Sequence, residues 1–148
     1  MNIFDINLTK LDVTVTTKDE LLEQMCQDLY ESGIICNKAS FLSCINNREK
    51  DLSTGIGHGI AIPHARHPEV EHLKAVIYIL SEGIDFESLD GKPVKLVIML
   101  AIPSSDNKEY MNTLRFISKS LQHDIDRNEL LKAETSEEAV NFFIRRQL

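Results

Sequence analysis

Tryptophan is missing from this chain and aromatic residues make up only 6% of it, so the core has to be assembled mainly from aliphatic side chains. Cysteine is scarce: Cys26, Cys36 and Cys44 are odd in number and form no C-x-x-C. That excludes a disulfide framework and a dithiol redox motif, and predicts reduced thiols in or near helices. No long apolar run occurs. The longest, Leu96 to Ile102, is far too short to span a bilayer. The opening residues, MNIFDINLTKLDV, lack a basic segment followed by an apolar one, so no secretory signal is expected and the chain is predicted to be cytoplasmic. Positive charge is also in deficit, with a formal net charge of -7. This argues against unaided binding to nucleic acid and against docking or insertion at an anionic membrane, while a basic protein partner is compatible with it.

The sequence holds 148 residues, 43% of them hydrophobic, which is enough for one domain with a true core. Thr17 and Glu20 have capping-box spacing, followed by Leu22, Met25, Cys26 and Leu29 at helical intervals, and Gly33 is a stop. A second helix is predicted from near Asn37 to about Lys50, which puts Arg48 in its last turn. Three strands follow: Gly59 to Ile62, Ala75 to Leu80, and Val94 to Ile102, the last being the most buried. A third helix should follow Pro103, capped by Ser105 or Asp106, with Tyr110, Leu114, Ile117 and Leu121 on one face. A short helix is expected around Glu129 to Lys132, then a last one capped by Thr135 and Glu138. Helices flank aliphatic strands at both ends, which indicates an α/β layered domain.

The segment GIGHGIAIPHARHPEV, Gly55 to Val70, asks for a chemical reading. Its glycines follow a helix and open a strand, the reverse of a nucleotide-binding loop. Four histidines, His58, His64, His67 and His72, lie close together, but no zinc spacing is present. His67 and His72 fall in the charged stretch RHPEVEHLK and read as a solvated surface loop, so no metal is expected. Nucleophilic catalysis asks for a rigidly placed imidazole with one free nitrogen and donors near it. Pro63 stiffens the backbone before His64, Ser53 and Thr54 offer hydroxyls, and Arg48 offers a guanidinium fork. A histidine that merely caps a loop fits the same residues, and on chemistry alone both readings stay open.

The block REKDLSTGIGHGIAIPHA, Arg48 to Ala65, resembles the signature of the fructose/mannitol-type enzyme IIA family of the phosphotransferase system, including its nitrogen-regulatory branch. GIDFESLDGKPVKLVIMLAIP, Gly83 to Pro103, resembles the family's second block and is closest to fructose-type members. The resemblance extends over nearly the whole chain and implies a single domain across residues 1–148, an α/β fold with a central mixed sheet and helices packed on both faces. It implies that His64 takes a phosphoryl group from the carrier protein HPr and hands it to a cysteine of a IIB domain during sugar uptake, with no cofactor. Arg48 matches the family's arginine beside that histidine. Ser53, Thr54, His58 and Tyr110 complete the expected phosphoryl- and partner-binding set. A regulatory protein whose phosphorylation state controls partner binding is the alternative. Three positions depart from the family pattern: Ala65 replaces glycine, His58 replaces asparagine, and Tyr110 replaces a second histidine facing the first.

Overall fold

A computed structural model describes residues 3–106 and 108–147. The elements run β1 (Phe4–Val13), α1 (Lys18–Glu31), α2 (Lys38–Asp51), β2 (Gly55–Gly57), β3 (Ile60–Ala61), β4 (His64–His67), β5 (Lys74–Ile84), β6 (Val94–Pro103), α3 (Glu109–Ser120), α4 (Asp124–Leu131) and α5 (Ser136–Arg146). The six strands form one mixed sheet in the order β1-β5-β6-β3-β2, with β4 also paired to β6. β5 and β6 are antiparallel, whereas β1 on β5 and both β3 and β4 on β6 are parallel.

The central strand explains its own composition. In β6, Val97, Met99 and Ala101 enter one core, while Leu96, Ile98, Leu100 and Ile102 enter the other. A strand buried on both faces carries a continuous apolar run. α1 and α2 supply Leu22, Met25, Phe41 and Ile45 to the first core. α3, α4 and α5 supply Ile117, Leu130 and Phe143 to the second. There Phe143 stacks on Phe4 at 4.7 Å between ring centres, so Phe143 also clamps β1 to the sheet.

Helix starts follow the local chemistry. Thr17 accepts the Glu20 amide at 3.1 Å, Asn37 accepts that of Ser40 at 3.0 Å, and Thr135 accepts that of Glu138 at 3.1 Å. α3 differs from the expectation: it begins at Glu109 with no side-chain cap. Asp106 still accepts the Tyr110 amide at 3.3 Å. The short fourth helix starts earlier than its sequence suggested, at Asp124.

The strand predicted over Gly59 to Ile62 is one part of a longer line. β3 and β4 lie on β6 in a single register, Ile60 opposite Leu96 and His64 opposite Leu100, with Ile62 and Pro63 between them. The Pro63 carbonyl still accepts the Leu100 amide at 2.9 Å, so the proline interrupts the strand without turning the chain away.

β4 also corrects the reading of His67 as part of a solvated loop. His67 is buried, edge-on to Phe41 at 5.9 Å. Its Nδ1 accepts the Glu69 amide at 3.1 Å, so the proton sits on Nε2 and is donated to Ser40 Oγ at 2.9 Å. His72 is exposed, as expected.

Candidate functional site

β4 alternates. Ala65 and His67 turn into the core beneath α2, and His64 and Arg66 share the opposite face, His64 half-buried and Arg66 exposed. A cleft opens here at the sheet edge. Cys44, Asn47 and Arg48 of α2 line one wall, His64 and Arg66 form the floor, and Tyr110 of α3 stands opposite.

The His64 ring is oriented by its own backbone. Nδ1 lies 2.9 Å from the carbonyl oxygen of Ile62. A carbonyl only accepts, so Nδ1 carries the hydrogen and Nε2 keeps its lone pair. Burial holds the imidazole pKa below the ordinary histidine value. The Ile62 bond pulls it upward, the Arg48 charge lowers it further, and Glu49 pulls it upward. At neutral pH the ring is therefore an uncharged base with a defined tautomer.

The bond to Ile62 depends on a chain of contacts reaching into α2. The Ile62 amide donates to the Thr54 carbonyl at 3.1 Å. The Thr54 amide donates to Glu49 Oε1 at 3.1 Å, and the Thr54 hydroxyl donates to Glu49 Oε2. Glu49 is buried at 9% exposure and pairs with Lys18 Nζ at 2.9 Å. At the other end of α2, Ser40 holds His67, and the Glu69 carboxylate accepts the amides of Cys36 and Asn37 at 3.1 and 3.0 Å. The helix bearing Arg48 is thus tied at both ends to the segment bearing His64.

Of the predicted site residues, the structure brings Arg48 and Tyr110 to His64. Arg48 donates one N–H to the Leu52 carbonyl at 2.7 Å, and the rest of its fork stays available to the cleft. The Tyr110 ring centre lies 6.2 Å from that of His64, at an angle of 35°.

Ser53, Thr54 and His58 are placed elsewhere. Ser53 Oγ donates to the Phe86 carbonyl at 3.0 Å and accepts the Gly55 amide at 3.1 Å. Thr54 is buried and gives its hydroxyl to Glu49. These hydroxyls hold the backbone rather than line the cleft. His58 is exposed at the tip of the β2–β3 hairpin, with φ +57, followed by Gly59 at φ +79. Positive φ at both central residues is the mark of a type I′ turn, where asparagine-glycine is the favoured pair. The turn therefore explains Gly59, while Gly55 is required by the close approach of Ser88.

Two residues that bear on the site carry no local signal in the sequence: Arg66, which lines the cleft, and Glu49, which is buried behind it. Glu49 follows Arg48 in the last turn of α2, where its carboxylate holds Thr54 and Lys18. Arg66 follows His64 at strand spacing, but Pro63 masks the strand that gives this spacing its meaning. Among the described residues, no cluster of three or more His, Cys, Asp or Glu side chains converges as a metal site would require.

The architecture is thus a mixed sheet flanked by helices, with the half-buried His64 at the start of its edge strand β4. Nitrogen regulatory protein IIA-Ntr from Neisseria meningitidis superposes with a TM-score of 0.90 at 29% identity, over 95% of this chain and 96% of that one. The family model for the phosphoenolpyruvate-dependent sugar phosphotransferase system, EIIA 2, matches residues 2–145, and the chain belongs to that family. The fructose-specific EIIA component of Haloferax volcanii is 31% identical over 135 residues, 91% of this chain and 88% of the relative. The fold also matches enzyme IIAMTL in its complex with phosphorylated enzyme IIBMTL from Escherichia coli, with a TM-score of 0.79 at 20% identity over 95% and 96% of the two chains.

Proposed function

We propose that the chain is a cytoplasmic phosphocarrier of a sugar phosphotransferase system. It accepts a phosphoryl group from phospho-HPr on His64 Nε2 and passes it to a cysteine of a IIB partner. The observation that carries this reading is the bond from His64 Nδ1 to the Ile62 carbonyl, which leaves the Nε2 lone pair facing a cleft that holds Arg48. In the step, the lone pair forms the new N–P bond as the donor's P–N bond breaks, and that electron pair returns to the donor imidazole. No proton has to move. The His64 ring becomes cationic, and its Nδ1–H bond to Ile62 becomes charge-assisted, which favours the phosphorylated form. Arg48 takes phosphoryl oxygens on its free N–H groups. Transfer of this kind is mainly positioning plus charge stabilisation. A fructose-specific relative that matches along most of both chains supports a role in sugar uptake. A mannitol IIA solved together with its phosphorylated IIB supports the choice of acceptor.

A regulatory reading has its own support in the match to IIA-Ntr. In that case His64 would be phosphorylated in the same way, and the phosphoryl group would change a partner-binding surface. The test starts with phosphoenolpyruvate, enzyme I and HPr. The parent chain is expected to gain one acid-labile phosphate and His64→Ala none. Undiminished labelling of His64→Ala would overturn the proposal. Onward transfer to a purified IIB domain favours the transport role, and a labelled chain that fails to discharge to IIB favours the regulatory one.

A further inference from the structure

Arg66 lines the same cleft as His64 and lies on the same face of β4. Its guanidinium lies over the Tyr110 ring, with Cζ 4.8 Å from the ring centre, and it donates to the Asp106 carbonyl. Both partners are neutral, so its positive charge is held in place and not cancelled by them. Arg48, across the cleft, likewise spends one N–H on a neutral carbonyl. His64 and Arg66 lie two residues apart on one face of β4, about 7 Å along the strand. The row Arg66, Tyr110, His64 is continuous, since the Tyr110 ring touches the arginine and lies 6.2 Å between centres from the imidazole. An uncharged nucleophile therefore sits between two guanidiniums.

Resting on the assignment of His64 as phosphoryl acceptor, we propose that Arg66 is a second phosphoryl-binding arm, with Tyr110 as the platform that aims it. A phosphoryl group on Nε2 presents three peripheral oxygens and close to two negative charges. One guanidinium fork engages two oxygens in a bidentate pair, and a second fork from the opposite wall reaches the remaining one. During transfer, Arg48 and Arg66 meet the charge spread over those oxygens, while the N–P bond forms at His64 and the donor's P–N bond breaks. Tyr110 acts through the flat face of its ring. Its contribution is to keep the long Arg66 side chain from sampling other rotamers, and a cation over an aromatic face is a suitable hold.

The experiment measures single-turnover labelling of His64 from two donors, phospho-HPr and the small molecule phosphoramidate. Arg66→Gln is expected to slow labelling at least tenfold with both, equivalent to about 1.4 kcal/mol in the barrier. Arg66→Lys should recover part of the loss. Melting temperatures should match the parent, because Arg66 is exposed. Tyr110→Leu should slow the parent clearly and the Arg66→Gln background little, since the platform has no purpose without the arm. Labelling of Arg66→Gln within twofold of the parent from both donors would overturn the proposal. So would a loss seen only with phospho-HPr, which would make Arg66 a docking contact for the donor protein. A parent chain that takes no label on His64 from either donor would overturn the acceptor assignment itself, and the proposal with it. Normal parent labelling with an unaffected Arg66→Gln would remove the proposal alone.

Discussion

Replacing Glu49 by glutamine keeps the shape of the side chain and removes its charge, and three contacts lose by it. Lys18, whose side chain is 14% exposed, loses its carboxylate partner at 2.9 Å. The Thr54 amide keeps a carbonyl oxygen, but the Thr54 hydroxyl loses its carboxylate acceptor and meets an amide nitrogen, so two charge-assisted bonds become neutral ones. Breaking a buried ion pair from one side costs about 3–5 kcal/mol. Here Glu87 at 3.6 Å and the Phe86 ring at 4.4 Å still attend the Lys18 ammonium, which brings the expected loss to about 2–3 kcal/mol. For a chain of this length that is a fall in melting temperature of about 5–10 °C. A functional effect should accompany it. Thr54 holds the Ile62 amide, and Ile62 holds the His64 ring, so a loosened Thr54 lets the imidazole depart from its productive orientation. Phosphorylation by phospho-HPr should slow about tenfold or less at a temperature where the variant remains folded. Glu82→Gln removes the same charge from an exposed position and serves as the control, with an expected change inside about 0.5 kcal/mol. Thermal melts read beside single-turnover rates make the measurement. If Glu49→Gln melts within a degree or two of Glu82→Gln and labels at the parent rate, Glu49 neither stabilises the fold nor positions His64.

Two further outcomes follow from the same geometry. Because the folded-state pKa of His64 is lowered, the neutral nucleophile is fully present above about pH 6.5 and is lost only as pH falls through the lowered value. Labelling by phosphoramidate should therefore be limited by His64 only below pH 6.5, and the stability this group contributes should be complete above pH 6.5 and decline as the pH falls from there; a His64 titration midpoint above 6.5 by NMR would contradict both. His58→Asn should raise stability by about 0.5–1 kcal/mol, since asparagine tolerates the left-handed turn position at φ +57 better than histidine does, and it should leave transfer rates unchanged; a lower melting temperature or a crippled rate would show that the His58 side chain does more than turn the chain.

Where sequence and structure agree, one local rule decides the outcome. Thr17, Asn37 and Thr135 cap their helices because a side-chain oxygen three residues ahead of an amide needs nothing distant to form its bond. The runs Ala75 to Leu80 in β5 and Leu96 to Ile102 in β6 are legible because a strand segment covered on both faces is almost continuously apolar. β1 is not legible as a strand: Phe4–Val13 lies at the sheet edge, and Asp5, Asn7, Lys10 and Asp12 break its apolar pattern. β4 was hidden by Pro63 and by charged neighbours, and His67 with it, since only the fold reveals that α2 covers this strand. At the site, residue type and spacing single out His64 and Arg48 as candidates, only the family resemblance gives them roles, and the structure places both on one cleft. Ser53 and Thr54 have the right chemistry, but their hydroxyls are committed to Phe86 and Glu49, partners that no local pattern discloses. Arg66 and Glu49 were missed for the complementary reason: their meaning comes from what lies across the cleft and beneath the helix.

The two-ended attachment of α2 bears on how transfer should depend on temperature. Ser40 and the amides of Cys36 and Asn37 hold the start of the helix to the stretch of chain that carries His64, and Glu49 holds its end to the same stretch through Thr54 and the Ile62 amide. The separation between the Arg48 wall and the imidazole is therefore set when the protein folds, not when the donor arrives. A site assembled from mobile loops loses conformational freedom on the way to the transition state, and that loss appears as a negative activation entropy. Here little remains to be ordered once donor and acceptor have docked. The rate of the bound complex should follow a straight Eyring line with an intercept near zero entropy, and its slope should be almost wholly the enthalpy of exchanging one P–N bond for another.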